Sequence, residues 1–376
     1  MSIDAEAAER GAELQAQRQS RALDEPDSPV ARFIDQAPDL LGIDWDAPNE
    51  FPRAQRQVPM LITGAQRNRA RAPRLAPGHW AVLSGGEVVG GFDALMTSLP
   101  SAIGLRVTRS RALTHAYLTH AGLPTPRTHS LGLGDADAAR TVAAKFSRAV
   151  VKPATGRRGR GVSTGVRADS SSQVDAAFAF AAAHLWTRPE HDPRVLVQEH
   201  HEGLSIRVLV VAEQVVSAVA RLPLHVLGDG ESTLSQLTGR AAQRRSAHAF
   251  LSRFPVTLDD DTLALMGQDA DEVPPSGASR VVSASDNPLS GGVTVDVTEA
   301  MCQDLHTLAV EAVWSLPDVK VAGVDLIVPD LDTAAGAVVT EFREDPVLGL
   351  HGFPLYGRSR PTATPVMETL IARAAG

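Results

Sequence analysis

The amino-acid sequence predicts an α/β protein made of α+β lobes, not a simple doubly wound parallel sheet. Apolar segments of strand length alternate with helical segments over most of the 376 residues. Two pairs of predicted strands are separated only by short turns, near Glu213 and around 331–336. Such short connections join antiparallel strands. A chain of this length that is 43% hydrophobic has enough apolar residues for two or three packed lobes.

The N-terminal part of the chain has the weakest pattern. Residues 1–28 are rich in Ala, Glu, Gln and Arg and predict a polar helix or a mobile tail. Residues 29–105 predict a smaller N-terminal α/β domain, in which 58–62 and 79–83 have the composition of strands between Gly/Pro turns.

The rest of the chain has clearer elements. A helix is predicted from an N-cap at Thr108 or Ser110 to Gly122. The later predicted strands are 149–151, 194–197, 207–211, 215–220, 323–328 and 337–342, and the later predicted helices are 172–186 and 298–316.

Composition excludes several classes of protein. No apolar run approaches the roughly 18 residues that a membrane span needs, and the N-terminus lacks the apolar core of a signal peptide. A single cysteine, Cys302, excludes an internal disulfide and fits a reducing cytoplasm. The net charge of -8 argues against a nucleic-acid partner. We therefore expect a cytoplasmic protein without a membrane or nucleic-acid partner, and a homo-oligomer stays open.

The first candidate site is a lysine followed by a glycine-rich loop. Only three of the 36 basic residues are lysines, so a lysine carries more information here than usual. Lys152 ends the predicted strand 149–151, and Gly156, Gly159 and Gly161 follow. Glycines let backbone N–H groups approach phosphate oxygens, and basic residues neutralise the phosphate charge. The motif is not a P-loop, because the lysine precedes the glycines. The alternative is a surface hairpin that carries arginines.

The second candidate site is a pair of acids in apolar strands, Asp325 in 323–328 and Glu341 in 337–342. A carboxylate in a buried strand is costly unless it is paired or binds a metal, and two on adjacent strands repel without a cation between them. Oxygen ligands suit Mg²⁺, which usually takes one or two carboxylates plus phosphates. The alternative is two acids on edge strands that face water.

The third candidate is the polar end of the strand near 195–203, with His200 and His201 in sequence. Consecutive side chains of an extended segment point to opposite faces, so this pair does not predict a metal site.

In chain order, six segments resemble the ATP-grasp superfamily, closest to the ATP-binding region of cyanophycin synthetase and the glutathione-synthesising ligases. Each motif is weak alone, but the six in this order are a strong signal. The resemblance covers about 106–360, and the first 100 residues match no family. The segments are 108–127, 149–162, 195–211, 215–237, 286–300 and 322–351.

This resemblance implies a fold that holds ATP between two lobes. Residues 106–197 would form the central lobe with the glycine-rich loop, and 198–376 the C-terminal lobe with the metal carboxylates. The implied activity is an ATP-dependent ligase. It would join a carboxylic acid, expected to be amino-acid-like, to an amine through an acyl-phosphate, with release of ADP and phosphate.

The resemblance also implies a role for each matching residue. Lys152 would hold the α- and β-phosphates, with Arg111 at a position where the family has a lysine. The glycine-rich loop 156–161 would close over the triphosphate. The remaining expected roles are an adenine-binding hinge at Gln198, Glu199 and His200, phosphate and acyl-phosphate contacts from Arg207 and Arg221, and Mg²⁺ ligation by Asp325 and Glu341.

Two further positions depart from the family pattern. The acid that grips the ribose in the family falls on Ser205, a weaker partner. The family Glu-x-Asn falls on Glu341 and Arg343, and an arginine cannot ligate a metal. We predict that Arg343 points into the site and contacts a phosphate or a substrate carboxylate. The alternative is that Arg343 turns to solvent while Asp345 or Glu344 takes the role of the asparagine as a metal ligand.

Two other functions stay open for the same motifs. One is a degenerate ATP-grasp protein that binds nucleotide or a partner without ligation, and the other is a kinase-like phosphoryl transfer. The sequence ends soon after the ATP-grasp segments, without the Mur-ligase-like half of cyanophycin synthetase. We therefore expect a ligase that forms a single bond between small molecules rather than a polymer synthetase.

Overall fold

The computed structural model describes residues 28–94, 96–156, 159–186, 193–283 and 285–375. The tail predicted over 1–28 lies outside the described residues, apart from Ser28, whose hydroxyl caps the first helix. The helices are α1 (Pro29–Leu41), α2 (Gln57–Arg67), α3 (Ala102–Thr108), α4 (Arg111–His120), α5 (Ala136–Ala143), α6 (Ser171–Ala183), α7 (Leu234–Ala247), α8 (Asp260–Leu265), α9 (Gln303–Trp314), α10 (Leu348–Gly352) and α11 (Ala363–Ala375).

The strands form antiparallel sheets in the described part of the chain. The strands are β1 (Arg74–Ala76), β2 (His79–Ser84), β3 (Glu87–Phe92), β4 (Thr128–Gly132), β5 (Arg148–Pro153), β6 (Ser163–Arg167), β7 (Arg194–Glu199), β8 (Leu204–Val211), β9 (Gln214–Leu222), β10 (His225–Leu227), β11 (Ser279–Val281), β12 (Val293–Asp296), β13 (Val321–Val328) and β14 (Val338–Arg343). The two larger sheets have the orders β4-β7-β5-β6 and β12-β9-β8-β13-β14, and the smaller ones are β1-β2-β3 and β10-β11. This architecture confirms the predicted α/β class and excludes a doubly wound parallel sheet.

The two faces of the five-stranded sheet differ in polarity. Side chains alternate along a strand, so Ile206 and Val208 of β8 face the largest core, which also contains residues of α1 and α9. Leu209 of β8 lies on the opposite face, in a second core with residues of α2 and α11. Arg207 lies on that second face as well, two residues before Leu209. One face is therefore apolar throughout, and the other is apolar at one end and charged at the other.

Side chains also alternate between the two faces of the four-stranded sheet. Val151 and Val197 pack in a core with residues of α5 and α6. Their neighbours in the chain, Lys152 and Gln198, point to the other face and are also buried. The sheet thus presents a buried lysine on the face turned away from its helices.

Residues 29–105 share their apolar cores with the C-terminal half of the chain. Phe33 and Ile34 of α1 belong to the large core of the five-stranded sheet, and Leu61 of α2 packs with Met367 of α11. Gly64 lies so close to α11 that a Cβ atom there would be 2.5 Å from the Ala363 carbonyl oxygen. The N-terminal residues thus cover the sheet that carries the charged face. The predicted domain limits stay a prediction.

Three predicted elements differ from the structure. The strand predicted at 58–62 is wrong, because this segment belongs to α2, where buried Leu61 and Ala65 recur at helical spacing and Pro59 is tolerated in the first turn. A short apolar run does not distinguish a strand from a buried helix. The helix predicted over 298–316 is the shorter α9, and that over 172–186 ends at Ala183. The helix predicted behind Ser110 is confirmed as α4.

No described helix has both the length and the apolar character that crossing a membrane requires.

Four buried histidines should make the fold sensitive to acid. Burial, the largest cause in each case, lowers the pKa of His115 and His351 to about 3 and that of His225 and His248 to about 4. These values lie below the ordinary pKa of 6.5, so the unfolded chain takes up protons first as the pH falls. The stabilisation is therefore complete above pH 6.5 and is lost progressively toward pH 4.

We predict that the free energy of unfolding decreases by up to about 1.4 kcal/mol per pH unit for each such histidine below pH 6. Urea denaturation at several pH values between 7 and 5 measures it. Exposed His79 provides a control, since His79→Gln should leave the slope unchanged. A flat free energy of unfolding across this interval would contradict the prediction.

Candidate active site

A row of charged side chains crosses the charged end of the five-stranded sheet. Arg207 of β8 pairs with Asp325 of β13, and Asp325 pairs with Glu341 of β14. Residues directly opposite each other on antiparallel strands point to the same face. The register shifts after Asp325, which leaves Thr340 as an extra residue whose hydroxyl donates to the Asp325 carbonyl oxygen at 3.1 Å. The two predicted metal carboxylates therefore lie side by side on one face.

Asp325 is buried in a network of arginines. Arg207 donates through Nε to Oδ1 and through Nη2 to Oδ2, both at 2.7 Å, and Arg221 Nη1 donates to Oδ2 at 3.3 Å. Burial alone would raise the pKa of Asp325, but the two guanidinium groups outweigh it and lower that pKa well below its usual range. Arg221 also donates to the Ser205 hydroxyl at 2.6 Å. The predicted phosphate-facing arginines are thus held in place by Asp325.

Glu341 is paired with two other arginines. Arg111 Nη2 lies 2.9 Å from Glu341 Oε1, and Arg343 Nη1 lies 3.7 Å from the same oxygen. Burial would raise the pKa of Glu341, but Arg111 and Arg343 lower it. Arg111 begins α4 behind the Ser110 cap and also donates to the Pro153 carbonyl oxygen at 2.8 Å. Arg111 therefore links the start of the glycine-rich loop to β14.

Lys152 lies close to this network at the end of β5. It is 6% exposed, and burial, followed by repulsion from Arg111, lowers its pKa to about 8, with Glu341 and Asp325 acting in the opposite direction. In the loop that follows, Gly161 has φ +73 and packs against α6, where a Cβ atom would lie 2.7 Å from His184 Cβ. Gly159 also has positive φ. Residues 157 and 158 of the predicted phosphate loop lie outside the described residues.

A narrow cleft lies between the start of α4, the beginning of the glycine-rich loop and the end of β14. Arg111, Gly156, Glu341 and Arg343 are among its lining residues, together with Trp186. The structure thus brings predicted phosphate-binding, metal-binding and catalytic residues to one place.

Arg343 belongs to β14 and pairs with Gly323 of β13, so the strand does not end before it. Its guanidinium lies 3.4 Å from Asp345 Oδ1 in addition to its contact with Glu341. Glu344 points to Arg109, with 3.0 Å between Oε1 and Nε. Arg343 is therefore turned into the cleft, and its predicted contact with phosphate or a substrate carboxylate stays a prediction.

The predicted adenine hinge has most of its polar groups engaged within the protein. The backbone N–H groups of Glu199 and His200 donate to the carbonyl oxygens of Arg127 and Arg148, and the Glu199 carboxylate is paired with Arg127 at 2.8 Å. A base bound here would have to use the carbonyl groups of this segment or the N–H of a later residue. The hinge role of Gln198, Glu199 and His200 stays a prediction.

His115 also belongs to the site, although no sequence motif indicates it. Gln198 Nε2 donates to His115 Nε2 at 2.7 Å, His115 Nδ1 lies 2.6 Å from the Thr125 hydroxyl, and Thr125 donates to the Val339 carbonyl oxygen at 3.0 Å. This arrangement requires a neutral imidazole with its proton on Nδ1, in agreement with its lowered pKa. The chain of hydrogen bonds ties β7 of one sheet to β14 of the other. The available sequence signal was the position of His115 four residues after Arg111, which places the two side chains on the same face of α4.

The charges of the cluster favour an anionic ligand. Its five cations are Arg111, Lys152, Arg207, Arg221 and Arg343, whereas its carboxylates are Asp325, Glu341 and Asp345. The buried Nε groups of Arg111 and Arg221 have no acceptor among the described residues. A buried donor without an acceptor is costly, and phosphate oxygens are suitable acceptors.

The metal-binding capacity of the same cluster is small. No group of three or more His, Cys, Asp or Glu that could hold a metal occurs within the described ranges. Asp325 and Glu341 are two carboxylates, a number that suits a Mg²⁺ ion completed by phosphate and water. The residues present therefore fit one such ion. Asp345, the third predicted ligand, lies beside Arg343 and is not adjacent to the other two in the sheet register.

Comparison with known proteins agrees with this fold. No protein-family model matches the chain. It is 28% identical over 295 residues to cyanophycin synthetase of Synechocystis sp., with 74% of this chain and 32% of the relative covered. It is 27% identical over 294 residues to a glutathione biosynthesis bifunctional protein of Mannheimia succiniciproducens, with 73% and 37% covered. The chain thus spans about a third of the length of these curated relatives.

The fold is also similar to that of a solved enzyme structure. A bifunctional glutathione synthetase from Pasteurella multocida aligns with a TM-score of 0.59 and 22% identity, over 83% of this chain and 43% of that one. The sequence matches confirm the resemblance to cyanophycin synthetase and the glutathione-synthesising enzymes, and the structural match agrees with the predicted α/β fold.

We predict that Asp325→Asn destabilises the protein by about 3 kcal/mol or more, because it leaves Arg207 and Arg221 buried without their carboxylate. Urea denaturation measures the change. Asp169→Asn is a matched control, since Asp169 also pairs with an arginine at 2.7 Å but is exposed, and exposed pairs contribute little. Equal effects of the two substitutions would show that burial of the Asp325 pair is unimportant.

Proposed function

We propose that the protein is an ATP-dependent carboxylate–amine ligase that forms an amide bond through an acyl-phosphate. The observation that carries this proposal is that Arg111 and Glu341 line one cleft, while buried Lys152 and Asp325 belong to the same network of charges. The relatives are named synthetases, in agreement with bond formation driven by ATP. The single cysteine and the absence of an apolar spanning run suit an enzyme of the cytoplasm.

The proposed reaction has two steps. A carboxylate oxygen of the acid attacks the γ-phosphorus of ATP in line, the bond from phosphorus to the bridging oxygen breaks, and ADP leaves. The amine then attacks the acyl carbon, loses a proton to the surroundings, and inorganic phosphate leaves with the oxygen that came from the acid. Both steps require positioning and neutralisation of phosphate charge more than acid–base chemistry.

The buried cations supply the positioning. Lys152 and Arg111 hold the α- and β-phosphates under the loop that contains Gly156, Gly159 and Gly161. Arg207 and Arg221, fixed by Asp325, present their remaining N–H groups to the transferred phosphoryl group. Donors that are already oriented act without reorganisation in the transition state.

The remaining predicted residues complete the nucleotide site. The adenine base is bound by the hinge residues Gln198, Glu199 and His200, and the ribose lies near Ser205. Asp325 and Glu341 would hold Mg²⁺, which when bound neutralises charge on the β- and γ-phosphates.

An isotope experiment tests the reaction. Candidate amino acids labelled with ¹⁸O in the carboxylate are incubated with ATP, Mg²⁺ and a set of amines, and the products are analysed by mass spectrometry. The ligase predicts an amide, ADP and phosphate that carries one ¹⁸O atom. A phosphorylated product without an amide would indicate kinase-like transfer instead. Nucleotide binding with no product for any acid and amine would favour the degenerate alternative.

We also predict that Lys152→Ala lowers the turnover number on the order of a hundredfold or more, because the variant loses a buried cation that contacts phosphate. Release of ADP measures the rate. Lys145→Ala is the matched control, since Lys145 is an exposed lysine of the same lobe and should keep the wild-type rate. Near-full activity of Lys152→Ala would refute the phosphate role.

A further inference from the structure

The number of metal ions at this site can be inferred from the oxygen atoms that remain available to bind them. A carboxylate offers roughly four lone-pair directions. Three N–H groups from Arg207 and Arg221 already point at Asp325. A guanidinium and a divalent cation compete for the same lone pairs, so Asp325 retains little capacity beyond one ion.

The two carboxylate oxygens of Glu341 differ in how many partners they have. Arg111 and Arg343 both approach Oε1, whereas Oε2 accepts no hydrogen bond from the described residues. Glu341 can therefore contribute Oε2 to one ion next to Asp325. The side of Glu341 that faces along β14 toward Asp345 is taken by the Arg343 guanidinium, which lies between the two carboxylates at 3.7 and 3.4 Å.

The charge of the cluster leads to the same conclusion. Five cations face three carboxylates, an excess of two positive charges before any ligand is counted. The resemblance to the ATP-grasp superfamily implies a change of that size, because Ser205 would stand for an acid and Arg343 for a neutral asparagine. Two positive charges are the charge of one Mg²⁺ ion.

We propose that this site binds its nucleotide with one divalent cation and that the Arg343 guanidinium supplies charge in place of a second. The inference rests on the proposed nucleotide site. Arg343 is suited to this role because its planar guanidinium can contact two phosphate oxygens. Asp345 and Glu341 hold it in the cleft from both sides.

The experiment counts metal ions directly. The protein is equilibrated with Mn²⁺ and a non-hydrolysable ATP analogue, and bound manganese and bound nucleotide are measured in the same dialysed sample. Electron paramagnetic resonance then shows whether the bound Mn²⁺ ions are isolated or coupled, since two ions about 3.5–4 Å apart interact magnetically. Neither measurement depends on turnover.

We expect one isolated Mn²⁺ per bound nucleotide in the wild-type protein and two coupled ions in Arg343→Asn. Arg343→Lys keeps the positive charge and should remain at one ion. Arg167→Asn is a control, because Arg167 is paired with exposed Asp169 and does not line the cleft, and it should also remain at one ion.

Two results would overturn the inference alone. One is two coupled ions per nucleotide in the wild-type protein, and the other is a single ion in nucleotide-bound Arg343→Asn. A wild-type protein that binds no nucleotide would refute the proposed function together with this inference. The nucleotide measurement therefore separates the two failures.

Discussion

The buried ion pair between Arg207 and Asp325 is the interaction on which the site depends. Burying two charges costs more than their attraction usually returns, so the pair is poor evidence for stability, but it fixes the position of both groups. Asp325 also orients Arg221 and lies beside Glu341, which in turn holds Arg111 and Arg343. Removing this carboxylate would release the guanidinium groups of Arg207 on β8 and Arg221 on β9. The geometry of the cleft therefore follows from the register of β13 with its two neighbours.

That register has consequences for the rest of the fold. One face of the five-stranded sheet must be apolar along its whole length to anchor α1 and α9, and the other must change from apolar to charged within two residues of β8, between Leu209 and Arg207. The apolar end needs a cover, which α2 and α11 provide. The second large sheet is attached through a buried, neutral His115 that joins Gln198 to Thr125 and β14. Burial lowers the pKa of His115 to about 3, so its imidazole stays neutral and keeps this acceptor role well below neutral pH.

The sequence predicted the parts of this structure that depend on local pattern. The apolar runs 207–211 and 323–328, each with one charged residue, predict strands, and Ser110 predicts the start of α4. It did not predict α2, since a five-residue apolar run suits a helix or a strand equally well. Nor could it predict which arginine pairs with which acid, because that depends on the register of β13 with β8 and β14. His115 was missed because its partner Gln198 is distant in the sequence.

The arginine content of the site also explains how it is organised. In an ion pair between lysine and a carboxylate, the ammonium group acts as a point charge and permits many orientations. A guanidinium that donates two parallel N–H groups to a carboxylate has a single orientation. Asp325 binds Arg207 in this bidentate way, so the direction of the remaining N–H groups is set by the fold. Lys152 is the exception: its pKa of about 8 makes it the cation of the cluster closest to losing its proton. Contact with a phosphate would favour the charged form and raise that pKa again. Binding of an anion and retention of the Lys152 proton are thus coupled, while the arginines keep a constant charge.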